Sequence, residues 1–379
     1  EGDALLKAFA RILEREAPRP VLVARMLADA FLVLFPYKGK GELVTYCEAY
    51  SRALNGFIVS REQNYQLELR SGICCVEDSD ASDINSLLDR ANMALKTIKV
   101  KGAAHWKFYD HTMRDKLLRE KDLEIRMEKA LADGEFLVYI QPKYRVGTGA
   151  LGGGEALVRW KSPDQGFLSP GEFIPLFEKN RFIVKLDQFM FTSVCGLLRQ
   201  WLDAGIEPRP LSVNVSRMQF HTPDFVERYI RIKSPYAIPD GLLELEFTES
   251  IFFDNVALLS SAVHELRRAG IKCSIDDFGA GYSSLNVLKA LPVSVLKLDG
   301  MFFRTAKDDE QAKIVIRNIM RMAGELKMAT VAEGVETHEQ VAFLETTGCD
   351  IIQGYVFARP MPAAEFTELL AGEGGHAER

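Results

Sequence analysis

The pattern of apolar and polar residues changes character near residue 135. From Phe136 onward, short apolar runs of strand length alternate with longer stretches whose apolar residues have helical spacing. The strand candidates are Phe136–Gln141, Gly153–Val158, Leu211–Val215, Leu243–Phe247, Lys272–Asp276, Val295–Leu298, Ala329–Glu333 and Ile351–Gln353. Eight strands with intervening helices predict an α/β fold of the (β/α)8 TIM-type barrel class. A doubly wound open sheet is the alternative, but it usually has a Gly-rich phosphate loop after its first strand, and this sequence has none there.

The first 110 residues show a separate alternation of helix and strand. The expected elements are helices over Asp3–Arg15, Gly41–Leu54 and Ile84–Val100 and strands over Ala30–Phe35 and Gln66–Val76. They predict an N-terminal α/β or α+β domain. Residues 111–132 are highly charged, with apolar residues at helical spacing, and predict a linker helix. We therefore expect an N-terminal domain at 1–110, a linker helix at 111–132 and a barrel at 133–372.

Composition narrows the classes of function. An apolar content of 47% and a charged content of 26% are typical of a soluble globular protein. A formal charge of −6 argues against binding to DNA or RNA duplexes, although a small phosphate ligand bound through metals remains compatible with it. The six cysteines show no C-x-x-C spacing, which favours free thiols in a reducing, cytoplasmic compartment. The sequence starts at Glu1 without Met and shows neither a signal peptide nor a membrane-spanning run, and we expect a fragment of a longer protein.

Polar side chains lie at or near the ends of seven successive strand candidates. They are Glu155, Asn214, Glu246, the pair Asp276 and Asp277, Lys297, Glu333 and Gln353. In a barrel the C-terminal strand ends converge on one face, where active sites of this architecture lie. Each residue alone is equally well explained as a surface group. Together, seven such positions favour a functional site.

The oxygen ligands in this set predict metal chemistry. Asp276 and Asp277 are adjacent carboxylates that repel each other unless a cation lies between them. Mg²⁺ or Mn²⁺ prefers such ligands, and the expected donors to a first ion are Glu155, Asn214, Glu246 and Asp276. Asp276 can bridge to a second ion held also by Asp277, which suits phosphodiester hydrolysis by two metals. We expect Lys297 to orient or deprotonate the attacking water, with a plain salt bridge as the alternative.

Five short segments resemble the signatures of a known family. E-A-L-V-R-W begins at Glu155, D-D-F-G-A-G-Y-S-S-L at Asp276, L-K-L-D at Leu296, A-E-G-V-E-T at Ala332 and Q-G-Y-V-F at Gln353. In this order, from about residue 136 to 361, they resemble the EAL-domain cyclic di-GMP phosphodiesterases. The resemblance implies a metal-dependent barrel that linearises cyclic di-GMP to pGpG, and a homodimer formed through that barrel.

The same resemblance implies roles for individual residues. The implied metal ligands are Glu155, Asn214, Glu246, Asp276 and Asp277, with Glu333 near the second ion. Lys297 would serve the nucleophilic water, and Gln353 would steady the site. Gln141 and Arg159 would contact the substrate, and the Arg159 fork suits a phosphate because it donates two parallel hydrogen bonds. Glu249 would anchor the loop after the aspartate pair, with a solvated carboxylate at a helix start as the alternative.

The N-terminal domain resembles the second half of a GGDEF (diguanylate cyclase) domain. The segments Gly2–Leu6, Leu69–Ile73 and Asp89–Leu95 carry this resemblance. The signature itself is replaced by L-A-D-A-F at Leu27–Phe31, so its glycines and its glutamate are lost. We expect a truncated, degenerate module without cyclase activity that regulates the barrel or dimerises, with GTP as its candidate ligand.

Three hypotheses therefore remain. The first is hydrolysis of cyclic di-GMP, and the second is a non-catalytic cyclic di-GMP receptor. Receptors that resemble this family usually lack several metal ligands, whereas every expected ligand is present here, so we favour the enzyme. The third, an unrelated metal-dependent barrel hydrolase, is disfavoured by the ordered run of motifs.

Overall fold

The computed structural model describes residues 2–15, 19–59, 67–76, 83–98, 105–222, 224–249, 251, 256–279, 288, 292–305 and 309–374. These residues form two compact units that divide between Asp122 and Leu123. Within the described ranges, no helix combines enough length with enough apolar character to cross a bilayer.

The N-terminal unit contains helices and two small sheets. Its helices are α1 (Gly2–Arg15), α2 (Lys40–Val59), α3 (Ile84–Lys96) and the first half of α4 (His111–Ala132). Its strands are β1 (Leu22–Arg25), antiparallel to β2 (Phe31–Leu34), and β3 (Ser71–Ile73), parallel to β4 (Trp106–Phe108). Apolar side chains of α1 and α2 form the core, namely Phe9, Leu13, Tyr50, Leu54 and Ile58.

The expected elements of this unit are present, with three differences. The helix expected over Ile84–Val100 ends at Lys96, and Val100 lies outside the described residues. The strand expected over Gln66–Val76 is shorter, because only Ser71–Ile73 pairs with a neighbour and Gln66 lies outside the described residues. The strands β1 and β4 were not expected, since three or four residues are too few to show an alternating pattern. Helix α4 has the bounds expected for the linker helix.

The second unit contains a closed eight-stranded barrel, which confirms the expected fold class. Its strands are β5 (Phe136–Arg145), β6 (Leu151–Ser162), β8 (Leu211–Val215), β9 (Leu243–Thr248), β10 (Ile271–Phe278), β11 (Val295–Leu298), β12 (Ala329–Ala332) and β13 (Ile351–Ile352). The order around the barrel is β5-β13-β12-β11-β10-β9-β8-β6, and pairing of β6 with β5 closes it. Two short strands, β7 (Gly166–Leu168) and β14 (Met361–Pro362), extend β6 and β5.

The first barrel strand runs against the other seven. Strand β5 is antiparallel to both β6 and β13, whereas the remaining neighbours are parallel. The expectation that a helix follows every strand was therefore wrong for the first pair, β5 and β6. The five residues between β5 and β6 are too few for the crossover that parallel strands require, so they form a hairpin. The seven parallel strands end together at what we call the C-terminal rim, where β5 instead begins.

Helices cover the outside of the barrel. They are α5 (Pro170–Lys179), α6 (Ile183–Asp203), α7 (Phe225–Lys233), α8 (Val256–Arg268), α9 (Met301–Thr305), α10 (Glu310–Glu325), α11 (His338–Glu345) and α12 (Ala363–Gly374), with 3₁₀ turns at Arg217–His221 and Ser234–Tyr236. The start of β5 is fixed to the end of β6 by ring packing, because the Phe136 and Trp160 ring centroids are 4.9 Å apart. Trp160 is fully buried among Phe173 and Phe177 of α5.

Candidate functional site

Lys297 lies at the centre of a group of carboxylates inside the barrel. Its Nζ is 2.5 Å from Glu246 Oε2, 2.6 Å from Glu333 Oε1, 3.0 Å from Asp276 Oδ1 and 3.4 Å from Glu155 Oε2. The Lys297 side chain is only 1% exposed. Side chains from β6, β9, β10 and the end of β12 therefore meet at one nitrogen contributed by β11.

Glu155 is held by two amides of the expected set. Its Oε1 accepts a hydrogen bond from Asn214 Nδ2 at 2.7 Å, and its Oε2 accepts one from Gln353 Nε2 at 2.6 Å. The same Gln353 nitrogen donates to Gln141 Oε1 at 3.1 Å. Glu155 and Gln353 are buried while Asn214 is exposed, so this part of the site is reached from solvent on the Asn214 side. Glu155 lies within β6 rather than at its end, since β6 continues past the site to pair with β7.

Both adjacent aspartates belong to one acidic group. Oxygen atoms of Asp276, Asp277 and Glu333 lie within 4.8 Å of one another. Consecutive residues of a regular strand point to opposite faces, which would separate the pair. Here the register between β10 and β11 shifts between Ile275 and Phe278, and Asp277 has a left-handed φ of 53°. This local irregularity places both carboxylates at the same site, as bulges beside functional sites often do.

The protonation preferences follow from these contacts. Burial raises the pKa of Asp277 to about 6, with the Asp276 and Asp299 carboxylates adding to the effect. Burial alone would raise the pKa of Glu246, but Lys143 and Lys297 outweigh it and lower the pKa to about 2. Burial also opposes the charged form of Lys297, yet the surrounding carboxylates, Asp276 first, raise its pKa well above the usual value. The surrounding carboxylates therefore favour the ammonium form of Lys297, which would orient a water by donating a hydrogen bond to it.

Lys143 belongs to the site although the sequence analysis did not select it. It is 6% exposed on β5, and its Nζ is 2.9 Å from Glu246 Oε1. The available signal was its position two residues after Gln141, which puts both side chains on one face of the strand. A lysine at the edge of an apolar strand is usually solvent-exposed, so its position in the sequence does not by itself indicate a buried role.

The two remaining expected residues lie apart from this network of contacts. Arg159 is on the same face of β6 as Glu155, where its Nη1 donates to the Val158 carbonyl at 2.9 Å and its guanidinium is 5.5 Å from the Tyr139 ring centroid. Glu249 is buried, and its Oε2 accepts a hydrogen bond from the Gly279 amide at 3.0 Å. Its burial fits the loop-anchor expectation better than a solvated carboxylate. Residues 280–287 of that loop lie outside the described residues.

The donor set suits hard divalent cations. The acidic cluster consists of Glu155, Glu246, Asp276, Asp277 and Glu333, with the Asn214 amide beside it. Two ammonium groups, Lys143 and Lys297, oppose these five carboxylates, so the cluster keeps a net negative charge when all are ionised. Oxygen donors with excess negative charge are what Mg²⁺ and Mn²⁺ require.

Comparison with known proteins agrees with this geometry. Residues 125–360 match the EAL domain, and residues 1–105 match the diguanylate cyclase, GGDEF domain. The chain is 30% identical to the bifunctional diguanylate cyclase/cyclic di-GMP phosphodiesterase MucR of Pseudomonas aeruginosa, over 98% of this chain and 54% of MucR. It is 31% identical to the cyclic di-GMP phosphodiesterase NbdA of the same organism, over 97% of this chain and 47% of NbdA. The chain thus spans about half the length of these relatives.

Solved structures show the same likeness. The MucR phosphodiesterase in its c-di-GMP complex matches with a TM-score of 0.61 and 36% identity, covering 65% of this chain and 99% of that one. The EAL enzyme Bd1971 in its cAMP- and cyclic-di-GMP-bound form matches with a TM-score of 0.63 and 29% identity, covering 78% of this chain and 77% of that one.

Proposed function

Because the chain belongs to the EAL domain family and gathers an acidic cluster inside its barrel, we propose that it hydrolyses cyclic di-GMP to linear pGpG with divalent metal ions. The observation that carries the proposal is the convergence of Glu155, Glu246, Asp276 and Glu333 on Lys297. Several carboxylates in one buried place are costly unless cations accompany them. The two internal ammonium groups, Lys143 and Lys297, balance only part of that negative charge.

The metal ligands in this proposal are divided between two Mg²⁺ or Mn²⁺ ions. The first would be held by Glu155, Asn214, Glu246 and Asp276, and the second by Asp276, Asp277 and Glu333. Bound metal would supply an acidified water and would neutralise charge on the phosphodiester. Asp276 would belong to both ligand sets, since it contacts Lys297 together with Glu155 and Glu246 and also lies in a common oxygen cluster with Asp277 and Glu333.

The other polar residues prepare and orient the reactants. Lys297 remains an ammonium group beside four carboxylates, so it would hold the attacking water in place by donating to it. Gln353 fixes Glu155 through its short hydrogen bond and also reaches Gln141. Arg159 would bind a phosphate oxygen of the substrate, because its guanidinium lies farther along the same face of β6 and can donate two parallel hydrogen bonds.

The N-terminal unit is proposed to lack cyclase activity. The segment L-A-D-A-F that replaces the GGDEF signature forms the turn after β1 and ends at the first residue of β2, and the Ala30 amide donates to the Leu27 carbonyl at 2.9 Å. Ala28 has a φ of 51° and Ala30 carries no carboxylate, so both the glycine and the acidic ligand of an active signature are missing. A homodimer through the barrel, GTP binding at this unit and a cytoplasmic location stay predictions.

The test is direct turnover with a ligand variant. Purified protein is incubated with cyclic di-GMP and Mg²⁺ or Mn²⁺, and pGpG is quantified by chromatography. Glu155→Ala removes a metal ligand and the acceptor for Asn214 and Gln353, and we expect at least a ~100-fold loss of turnover. The exposed Glu345→Ala on α11 serves as the matched control and should keep full activity.

Two outcomes would contradict the proposal. Near wild-type hydrolysis by the Glu155→Ala variant would refute the metal assignment. Binding of cyclic di-GMP without any pGpG in the wild-type protein would instead indicate the non-catalytic receptor.

A further inference from the structure

A second buried ammonium group lies deeper in the barrel than the contacts around Lys297. Lys143 is one of the buried charged residues of β5, and its Nζ donates to Ser212 Oγ at 2.7 Å and to Glu246 Oε1 at 2.9 Å. Ser212 lies on β8, two residues before Asn214 and therefore on the same face of that strand. Lys143 thus links the strand that begins the barrel to two strands that supply expected metal ligands.

Glu246 is consequently held at both of its oxygens. Lys143 on β5 donates a hydrogen bond to Oε1, and Lys297 on β11 donates one to Oε2 at 2.5 Å. The Glu246 side chain is completely shielded from bulk solvent. With Oε1 tied to Lys143, only Oε2 faces the side of the site occupied by Lys297, Asp276 and Glu333.

We propose that Lys143 is a positioning residue for the metal site, which fixes one oxygen of Glu246 so that the other is presented to the metal. The inference rests on the proposed metal-dependent function and concerns a residue that the sequence motifs do not include. Lys143 acts through Glu246 and does not touch the substrate. Partners that orient a metal-ligating carboxylate commonly change metal affinity by about 10- to 100-fold when removed.

Two physical effects of Lys143 oppose each other, and their signs can be separated. A positive charge close to a cation site repels the cation, so removing it would tighten metal binding if charge alone mattered. Loss of the hydrogen bond would leave Glu246 Oε1 buried without this donor and free the carboxylate to rotate, which would weaken binding. We expect the positioning effect to exceed the repulsion, because five carboxylates outnumber the two ammonium groups and the site attracts a cation with or without the charge of Lys143.

The test measures metal binding directly, without substrate. Lys143→Met keeps a stem of similar length and removes the charge and the donor. Titration calorimetry of the whole chain with Mn²⁺ should give a dissociation constant about 10- to 100-fold higher than that of the wild type. The exposed Lys161→Met on β6 is the matched control and should leave the constant unchanged.

A second variant covers a failure of Lys143→Met to fold. Ser212→Ala removes a hydroxyl that accepts a hydrogen bond from Lys143 Nζ, is hydrogen-bonded to Glu246 and lies 3.4 Å from the Gly154 carbonyl oxygen, and both lysine charges remain. It should weaken Mn²⁺ binding about two- to tenfold, in the same direction. Hydrolysis by either variant should approach the wild-type rate at saturating metal, which a general structural defect would not allow.

The outcomes distinguish this inference from the function it rests on. Unchanged or tighter Mn²⁺ binding by Lys143→Met, or by Ser212→Ala if the former does not fold, would overturn the role of Lys143. Absence of Mn²⁺ binding by the wild-type protein would instead refute the metal site of the proposed function.

Discussion

Asp277 shows how a single residue shapes the acidic cluster. Its left-handed backbone, with a φ of 53°, is uncommon for any residue other than glycine, although aspartate and asparagine tolerate it better than most. The distortion costs of order 1 kcal/mol and gives two adjacent carboxylates a common direction. From the sequence alone, adjacency suggested a shared cation, but the backbone irregularity that makes sharing feasible had no visible signal.

Asp187 has a different role at the residue scale. It is buried in α6, where it accepts hydrogen bonds from the Ser216 amide at 3.0 Å and from Gln219 Nε2 at 3.1 Å. These bonds hold the turn that follows β8, the strand that carries Asn214. Burial raises the pKa of Asp187 to about 7, with the Glu178 carboxylate adding a smaller effect in the same direction.

Asp187→Asn should change how stability depends on pH. Since the pKa of Asp187 is higher in the folded than in the unfolded chain, the folded state retains a proton that the unfolded state releases between about pH 4 and pH 7. This contribution is complete below about pH 4 and is lost as the pH rises through about 7, and a shift of about three pKa units makes the loss on the order of 4 kcal/mol. The asparagine variant keeps an acceptor but cannot ionise, so it should melt higher than the wild type at pH 8, with a smaller difference at pH 5.

Melting curves at pH 5, 6.5 and 8 would check this expectation. Asp203→Asn, at the exposed end of the same helix, should follow the wild type at every pH. A constant difference between Asp187→Asn and the wild type across this range would contradict the assignment.

At the scale of elements, the loops at the C-terminal rim pack through backbone contacts. A Cβ on Gly354 would lie 1.9 Å from the Val335 carbonyl oxygen, so the chain after β13 touches the chain after β12 directly. Gln353 and Glu333 immediately precede these two contact regions. Glycine at this position therefore lets the two backbone segments that carry Glu333 and Gln353 lie directly against each other.

Gly354→Ala should damage both stability and the site. Overpacking of a close backbone contact costs about 1–3 kcal/mol, and the shift needed to relieve it would displace Gln353 from Glu155. Urea denaturation and pGpG production would measure the two effects. Gly324→Ala on α10, where an added Cβ meets nothing within 4 Å, is the control and should be neutral or stabilising by about 0.5–1 kcal/mol. Equal stability of the two variants would contradict the role of Gly354.

The elements also show what the sequence pattern could and could not reveal. The strand candidates were located closely, and β8 and β11 have the expected bounds, because short apolar runs ending at polar residues are distinctive. The reversed direction of β5 was missed, since the pattern of apolar and polar residues in a strand is the same whether the strand is parallel or antiparallel to its neighbours. The short segment before Leu151 was the available signal, as a crossover helix does not fit between Arg145 and Leu151.

For the whole molecule, the described residues divide into two compact units, with the acidic cluster entirely in the second. The expected domain limits place the whole of α4 in a linker, whereas the contacts divide that helix between Asp122 and Leu123. Charge patterning revealed the helix, but which part of it packs on the barrel depends on tertiary contacts such as those of Leu123 and Ala130 with the Phe136 cluster.

Metal should stabilise only one of the two units. A cation at about 100 times its dissociation constant stabilises the folded state that binds it by ~2.7 kcal/mol. Hydrogen exchange followed by mass spectrometry should therefore show Mn²⁺-dependent protection in peptides from residues 123–374 and none in peptides from residues 2–59. Glu155→Ala should remove the effect. Similar protection in both sets of peptides would contradict the expectation.

The reversed first strand decides where the polypeptide enters the barrel. Because β5 begins at the C-terminal rim, the last turns of α4 arrive at the mouth of the barrel and not at its base, and Arg126 reaches Ser162 Oγ at 2.7 Å there. Ile125, which precedes Arg126 in the helix and is 81% exposed, lies beside this entrance. A spectroscopic label attached at that residue would therefore sense events at the mouth, whereas in an all-parallel barrel the same label would sit at the closed floor.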